Sequence, residues 1–364
     1  MNTPGIFHDE IVKTIHDIYS SIGFKPPSKQ FTVLASFYLT RQISAANSFK
    51  TSFKLISLAT GTKCTPAIRY SPRGELLHDA HAEVLARRGA VRWLMEEIKR
   101  MNVVAPTDLA YSSDWLTDTE LGISSDFDDY PPYRLRPGVS LHMYVSTLPC
   151  RCLFPMSLRA YSFLYWHFES GGDASMGYLA YTQNPQMASL KSQSPHLFPK
   201  LGSHEASRGR DDYNRLGVLR TKPGRADSQP ALSMSCSDKI ARWSVLGILG
   251  GFASRFLEPV YIDSVVIGEF PREKEGNCRL REIMKRDCER ALQIRIRKVE
   301  GRVELASMLD CSSSSDLPEG YDTRPPNIYY TNVPFIHSKH ELDKIEPTKG
   351  SCNECKIHFP PRRR

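Results

Sequence analysis

The sequence of 364 residues has no apolar run approaching the ~18 residues that a membrane-spanning helix needs. Its first residues mix acids, bases and apolar positions, so the continuous apolar core of a signal peptide is also missing. Nine cysteines, an odd number at irregular spacing, do not indicate a disulfide framework. These absences exclude a membrane-embedded or disulfide-stapled class, and we expect a soluble intracellular protein of the nucleus or cytoplasm.

Acidic residues are fewer than basic ones, at 40 against 48, which gives a formal net charge of +8. This balance is compatible with an anionic partner such as RNA, although many basic proteins bind no nucleic acid. The hydrophobic content of 40% is enough for a sizeable core. Composition therefore permits an RNA-binding protein without predicting one.

Hydrophobic patterning gives a coarse secondary structure. Apolar spacing predicts helices over residues 11–22, 31–39, 79–99, 235–256 and 278–292. Alternation predicts strands at Phe53–Ala59, Val139–Val145 and Tyr261–Ile267. Polar composition predicts loops over residues 105–137, 182–215 and 311–327, the second of them mobile. Alternating strands and helices, without internal repeats, predict an α/β or α+β domain with helices covering a sheet.

One constellation carries chemistry. His81-Ala82-Glu83 lies near the start of a predicted helix, Cys150 follows a predicted strand, and Cys236 opens another helical segment. Catalytic zinc favours three N or S ligands and keeps one coordination position for water. A carboxylate two residues from the histidine can move that water's proton without being a ligand, as in the H-x-E zinc deaminases.

On spacing alone, a purely structural role for these residues stays open. An H-x-E tripeptide occurs by chance, and a buried cysteine is usually inert. The P-C-x-x-C half of the deaminase signature is also absent, because the chain has Cys150-Arg151-Cys152. His81 and Glu83 could therefore be ordinary helix residues.

Four longer sequence blocks around these residues favour the deaminase interpretation. In order they are SLATGTKC from Ser57, LHDAHAEVLARR from Leu77, LRTKPGR from Leu219 and SCSDKIARW from Ser235. Together they resemble the deaminase domain of the RNA adenosine deaminases, a family of tRNA-specific and double-stranded-RNA editing enzymes. The blocks, RTKPGRADS in particular, and the short N-terminal region look more like the tRNA-specific branch.

The resemblance implies a cytidine-deaminase-like central sheet flanked by helices, with an RNA adenosine deaminase extension, as one domain over residues 1–364. It implies zinc-dependent conversion of adenosine to inosine in tRNA, next to the anticodon of tRNA-Ala, with neither membrane nor DNA as partner. The zinc ligands would be His81, Cys150 and Cys236, and Glu83 the proton shuttle.

The resemblance also implies further contacts. Thr62 and Lys63 match a block that lines the substrate pocket. The family buries an inositol hexakisphosphate, whose matching contacts here are Arg87, Arg88, Lys222, Lys239, Arg242 and Trp243. Unpaired buried cations are costly, so a polyanion would explain such a cluster. A solvated helix face or phosphate contacts to RNA are the alternatives for these residues.

Two stretches depart from the family pattern. Residues 151–171 separate Pro149-Cys150 from Gly172-Asp173-Ala174-Ser175, which the family has in one run, so we expect an atypical insertion or a retained intron. Similarity stops near Glu354, and we expect residues 355–364 to be an unrelated tail with the family's C-terminal portion shortened.

These departures leave a non-catalytic RNA-binding relic as the alternative to an active enzyme. A free-nucleoside or cytidine deaminase is disfavoured, because the SCSDKIARW block is intact and P-C-x-x-C is absent.

Overall fold

The computed structural model describes residues 4–28, 30–45, 48–102, 111–119, 130–149, 207–208, 220–222, 229–271, 278–294, 296 and 320–345. The described helices are α1 (Pro4–Ser21), α2 (Ala82–Met101), α3 (Cys236–Leu246), α4 (Cys278–Glu289) and α5 (Lys339–Ile345). A π-helical turn, Arg290–Ile294, continues α4.

The described strands follow in chain order. They are β1 (Leu34–Ala45), β2 (Ser48–Thr60), β3 (Thr62–Cys64), β4 (Asp79–His81), β5 (Leu116–Asp118), β6 (Tyr133–Leu135), β7 (Val139–Val145), β8 (Ser207–Arg208), β9 (Arg220–Thr221), β10 (Ser264–Ile267) and β11 (Asn327–Tyr330). Five of them form one mixed sheet in the order β11-β10-β7-β1-β2, and the others pair as two-stranded ribbons. Strand β10 runs parallel to both β7 and β11, whereas β1 is antiparallel to its two neighbours.

Strand β1, which lies between β7 and β2 in the sheet, is buried on both faces, and the core forms two layers. Phe37 and Leu39 point into the layer that contains α2, and Leu34 and Tyr38 into the layer that contains α1. Successive side chains of a strand alternate between faces, so one apolar run can serve both layers. The mixed α/β architecture, with a central sheet between helices, confirms the expected fold class.

The segments differ from the sequence predictions in instructive ways. The helix expected over residues 31–39 is wrong, because residues 34–39 form the start of β1, a strand inside the sheet. The helix expected over 235–256 ends at Leu246, where Gly247 adopts φ 67° and the chain turns away. The loop expected over 105–137 contains β5 and β6. The predicted strand at 139–145 is confirmed with the same bounds, and the segments at 11–22, 53–59, 79–99, 261–267 and 278–292 are confirmed in type with shifted ends.

Several expectations fall outside the described residues. Residues 151–171 and 355–364 lie entirely outside them, as does the 182–215 segment except for β8. Among the helices that the structure describes, none is both long and apolar enough to cross a membrane.

A tight turn at Gly61 connects the sheet to the ribbon of β3 and β4. A Cβ atom at this position would lie 1.9 Å from the carbonyl oxygen of Ala80, so only glycine fits. The Gly61 carbonyl accepts a hydrogen bond from the Ala82 N–H at 3.0 Å, and its N–H donates to Val33 at 3.1 Å. The turn thereby fixes the start of α2 against the sheet edge.

The layer beneath α1 contains buried histidines. His16 Nε2 lies 2.8 Å from the Tyr144 hydroxyl, and His142 sits between the hydroxyls of Thr40 and Ser264 at 2.8 and 2.7 Å. Burial lowers the pKa of each imidazole to about 4, only partly opposed at His16 by the charge of Asp17. A neutral His16 therefore connects α1 to β7, and a neutral His142 connects β7 to β1 and β10.

This layer predicts acid sensitivity. Between pH 6.5 and about 4 the unfolded chain binds protons that the folded chain does not, so stability decreases as pH falls through this window. For each histidine we expect the free energy of unfolding to fall by roughly 1–3 kcal/mol as the pH falls through this window. Urea unfolding at several pH values measures this decrease. His16→Gln, which cannot take up a proton, should flatten the dependence, whereas the exposed His340→Gln should not. An unchanged slope in His16→Gln would contradict this assignment.

Candidate active site

The predicted histidine is held by a residue that the sequence analysis did not select. His81 immediately precedes the first residue of α2, and its Nδ1 lies 2.8 Å from Oδ1 of Asp79 in β4. The same carboxylate oxygen accepts the His81 backbone N–H at 3.1 Å. With Nδ1 engaged by a carboxylate, Nε2 is the nitrogen that would coordinate a metal, the arrangement found around metal-binding histidines.

The second oxygen of Asp79 faces two lysines. Lys222 Nζ lies 2.8 Å from Oδ2, and Lys239 from α3 also donates to it. Burial by itself would raise the pKa of Asp79, but the hydrogen bond with His81 and the charge of Lys222 outweigh it and hold that pKa well below its ordinary value. Asp79 is therefore an ionised, buried carboxylate that joins three basic groups.

Lys222 extends the connection to the predicted cysteine ligand. Its ammonium lies 3.0 Å from Cys236 Sγ, and this sulfur is completely buried at the first position of α3. The ammonium and the N-terminus of a helix both stabilise a negatively charged sulfur. His81 and Cys236 are thus connected through Asp79 and Lys222 by three short contacts.

The start of α3 is fixed independently of Cys236. The Ser235 hydroxyl caps the helix, accepting the Asp238 N–H at 3.1 Å and donating to the Asp238 carboxylate at 2.8 Å. Ser237 donates to the carbonyl oxygen of Pro149 at 3.3 Å. The chain that leads to position 150 therefore lies against the helix start that carries Cys236.

Cys150 itself lies outside the described residues. Within the described part of the chain there is no cluster of three or more His, Cys, Asp or Glu side chains that could hold a metal. The donor chemistry of His81 and Cys236 nevertheless fits zinc, which favours imidazole and thiolate ligands with a carboxylate behind the histidine.

Glu83 follows His81 in the first turn of α2 and is only 3% exposed. No described residue forms a hydrogen bond or ion pair with its carboxylate. Burying a carboxylate without a partner is costly, so such a group generally serves a ligand or a reaction. The role of Glu83 as a proton shuttle stays a prediction, and the structure shows that its side chain is buried in the first turn of α2.

The predicted pocket residues lie in the adjoining ribbon. Thr62 pairs with His81, and Lys63 with Ala80, across the antiparallel strands β3 and β4. Thr62 is half-buried and Lys63 exposed, so the block lies beside the site at its open edge.

The six residues predicted to bind inositol hexakisphosphate divide into two groups in the structure, and their contact with this cofactor stays a prediction. Lys222 and Lys239 pair with Asp79, and Trp243 packs in the core at 6.3 Å from Phe37, measured between ring centroids. Arg88 and Arg242 are exposed, and Arg87 is half-buried.

These three arginines lie close enough to repel one another. Burial lowers the pKa of Arg87, and the charges of Arg242 and Arg88 lower it further. Arg87 Nε donates to the carbonyl oxygen of Ile248 at 2.5 Å. Among the described residues no carboxylate pairs with the three guanidinium groups, which leaves a surface suited to an anion with several charges.

A signal for Asp79 was present in the sequence. In a strand, residues two apart point to the same face, so Asp79 in His78-Asp79-Ala80-His81 accompanies the histidine. A metal-binding histidine needs a partner on its other nitrogen. Together these two rules select Asp79.

The chain is similar in sequence to known RNA adenosine deaminases. The profile of the adenosine-deaminase (editase) domain matches residues 57–308. The chain is similar to the tRNA-specific adenosine deaminase 1 of Schizosaccharomyces pombe, at 31% identity over 66% of this chain and 50% of the relative. It is also similar to the double-stranded RNA-specific editase Adar of Drosophila melanogaster, at 30% identity over 74% and 34%. The mouse double-stranded RNA-specific adenosine deaminase is 28% identical over 72% and 19%. The chain therefore spans between about a fifth and a half of these relatives' length.

The contact between Asp79 and His81 predicts a measurable effect on metal binding. Asp79→Asn should weaken zinc affinity by roughly 10–100-fold, because the imidazole loses the carboxylate that orients it. Titration with a competing chelator measures this affinity, and circular dichroism confirms folding. Asp322→Asn, at an exposed ion pair with Arg324, is the matched control and should leave affinity unchanged. Equal zinc affinity in the folded Asp79→Asn variant and the wild type would contradict the assignment.

Proposed function

The chain belongs to the adenosine-deaminase (editase) domain family, and from this we propose that it converts adenosine to inosine in tRNA, with zinc at the site. The observation that carries the proposal is the Glu83 carboxylate, buried without a described partner two residues from His81. This is the position that a deaminase needs for a proton shuttle.

His81 and Cys236 would hold the zinc, and Cys150 is proposed as the third ligand. When bound, zinc supplies Lewis-acid chemistry that makes water nucleophilic at neutral pH. The overall reaction consumes one water, forms a bond from oxygen to C6 of the adenine, breaks the bond from C6 to the amino nitrogen, and releases ammonia.

Glu83 performs the proton transfers in this scheme. Its carboxylate accepts a proton from the attacking water and delivers it to the departing nitrogen. Both transfers require a group that is ionised at the start, shielded from bulk water and close to the reacting carbon. The first turn of α2 supplies the shielding, since Glu83 is only 3% exposed there.

Asp79 is a positioning residue. Its carboxylate fixes the tautomer and orientation of His81, and through Lys222 it also sets the surroundings of Cys236. A single buried carboxylate thereby aligns two proposed ligands that are far apart in the sequence.

The choice of tRNA is supported by sequence similarity. The block Leu219–Arg225 resembles the tRNA-specific branch, and the Schizosaccharomyces pombe relative is named a tRNA-specific adenosine deaminase. Within tRNA, the adenosine next to the anticodon of tRNA-Ala is the proposed target. Relatives named for double-stranded RNA have similar identity, so a duplex RNA substrate is the alternative that assays must compare.

We also propose an inositol polyphosphate as a second cofactor, held by Arg87, Arg88 and Arg242. Three repelling guanidinium groups without a described carboxylate are stabilised by an anion with several charges. Inositol hexakisphosphate has this character. Lys222 and Lys239 already pair with Asp79, so they could bind the inositol polyphosphate only in addition to that pairing.

Glu83→Gln tests the activity. We expect the rate of inosine formation in a tRNA-Ala transcript to fall by about 10²–10⁴-fold, while bound zinc is retained. Glu96→Gln, an exposed carboxylate on the same helix, should behave as wild type. Inosine is read as guanosine after reverse transcription, and duplex RNA is assayed in parallel. Metal-replete wild type that makes inosine in neither RNA would refute the proposal.

Inositol hexakisphosphate should raise the melting temperature of the protein by several degrees, since a ligand that binds only the folded state stabilises it. The shift should be lost in Arg87→Met and Arg242→Met. Arg92→Met, an exposed arginine in an ion pair on α2, should retain it. Equal shifts in all three variants would exclude this site.

A further inference from the structure

The connection between β3 and β4 contains two stacked rings that the proposed chemistry does not use. The phenol ring of Tyr70 and the imidazole of His78 lie parallel, with centroids 3.9 Å apart and planes inclined by 4°. Tyr70 is half-buried, whereas His78 is exposed. The pair therefore presents a flat ring to solvent, already ordered on its inner face.

Hydrogen bonds hold this connection in place. The Leu232 N–H donates to the Tyr70 hydroxyl at 3.2 Å, and the Ala67 N–H donates to Pro230 at 2.9 Å. The Thr65 N–H donates to His78 at 2.8 Å, which extends the β3–β4 ladder to the ring pair. The rings are thus fixed to the segment that leads into α3, and binding a ligand would cost little ordering entropy.

The position of the rings relates them to the candidate active site. His78 immediately precedes Asp79, whose carboxylate orients His81. Leu232 lies four residues before Cys236 in the segment that holds Tyr70. Along the chain, the rings therefore adjoin both segments that supply the proposed zinc ligands.

The surroundings of the rings are apolar and basic. Exposed aliphatic side chains accompany the pair, and together with it they form what we call the rim patch: Ile68, Tyr70, Leu76, Leu77, His78 and Leu232. Ile68 is 81% exposed and Leu232 75%, and exposed apolar groups that adjoin one another mark interaction surfaces. Lys63 and Arg69 are exposed beside the patch, and no described carboxylate pairs with either.

We propose that the rim patch stacks an unpaired nucleobase next to the target adenosine, and so helps to select adenosines in single-stranded loops. This inference rests on the proposed deamination of RNA. A flat ring with flanking cations matches a base and its phosphates, because stacking holds the base while Lys63 and Arg69 face the backbone. A purely aliphatic partner would not need the parallel ring or the cations.

The experiment is a double-mutant cycle between protein and RNA. The probe is a hairpin RNA whose loop contains the target adenosine, prepared intact or with an abasic nucleotide on its 5′ or 3′ side. Binding is measured with full-length Glu83→Gln protein, so that no RNA is converted, carrying His78 or His78→Ala. We expect His78→Ala and one of the abasic changes each to weaken binding roughly tenfold, and their combination to cost no more than either.

Further variants separate stacking from a structural role. His78→Phe should restore affinity, because it retains the exposed ring. Phe24→Ala, an exposed aromatic after α1 in the other layer, is the control and should bind as the parent. If His78 only stabilised the loop, His78→Ala would weaken intact and abasic RNAs equally. Such additive effects at both neighbouring positions would overturn the proposal.

The two proposals fail differently. Inosine formation is measured with the Glu83-containing chain on the same intact hairpin. Inosine with no coupling in the cycle overturns the rim patch alone. Coupling without inosine in this hairpin, the tRNA-Ala transcript or the duplex RNA retains the patch and overturns deamination. Absence of any binding to the hairpin overturns the rim patch.

Discussion

The buried carboxylate of Asp79 is the interaction on which the candidate active site depends. It contacts His81 through one oxygen and two lysines through the other, and Lys222 reaches Cys236. Removing it would leave cations buried without a counter-charge and a histidine without orientation, each of which is costly. The carboxylate therefore couples the electrostatics of the site to its geometry, and the surrounding elements serve to hold these few groups together.

The scaffold achieves this with short, sterically determined connections. Gly61 permits the close approach of Ala80, which brings the β3–β4 ribbon against the sheet and starts α2 one residue after His81. The Ser235 cap fixes α3, so that Cys236 occupies its first position. The proposed ligands thus come from helix starts, where backbone N–H groups favour the negative charges of Glu83 and the cysteine sulfur.

Predictions from the sequence succeeded where a local pattern was sufficient. The helical periodicity of α2 and the alternation at Phe53–Ala59 in the edge strand β2 identified both elements, because an amphipathic helix and a half-buried strand have distinct periods. The same reasoning failed at β1. A strand buried on both faces has a continuous apolar run without a period, and its nearest alternative is a buried helix.

The sequence by itself determined the family and the chemical groups, since His81, Glu83 and Cys236 stand in blocks whose order is specific and whose residue types suit zinc and proton transfer. Only the tertiary structure decided which groups meet. Asp79 and Lys222 are 143 residues apart in the sequence, yet their charged groups lie 2.8 Å apart. Lys222 also contacts the sulfur of Cys236. Such pairings follow from how the β3–β4 ribbon packs against α3, and this packing depends on long-range burial that no local pattern encodes.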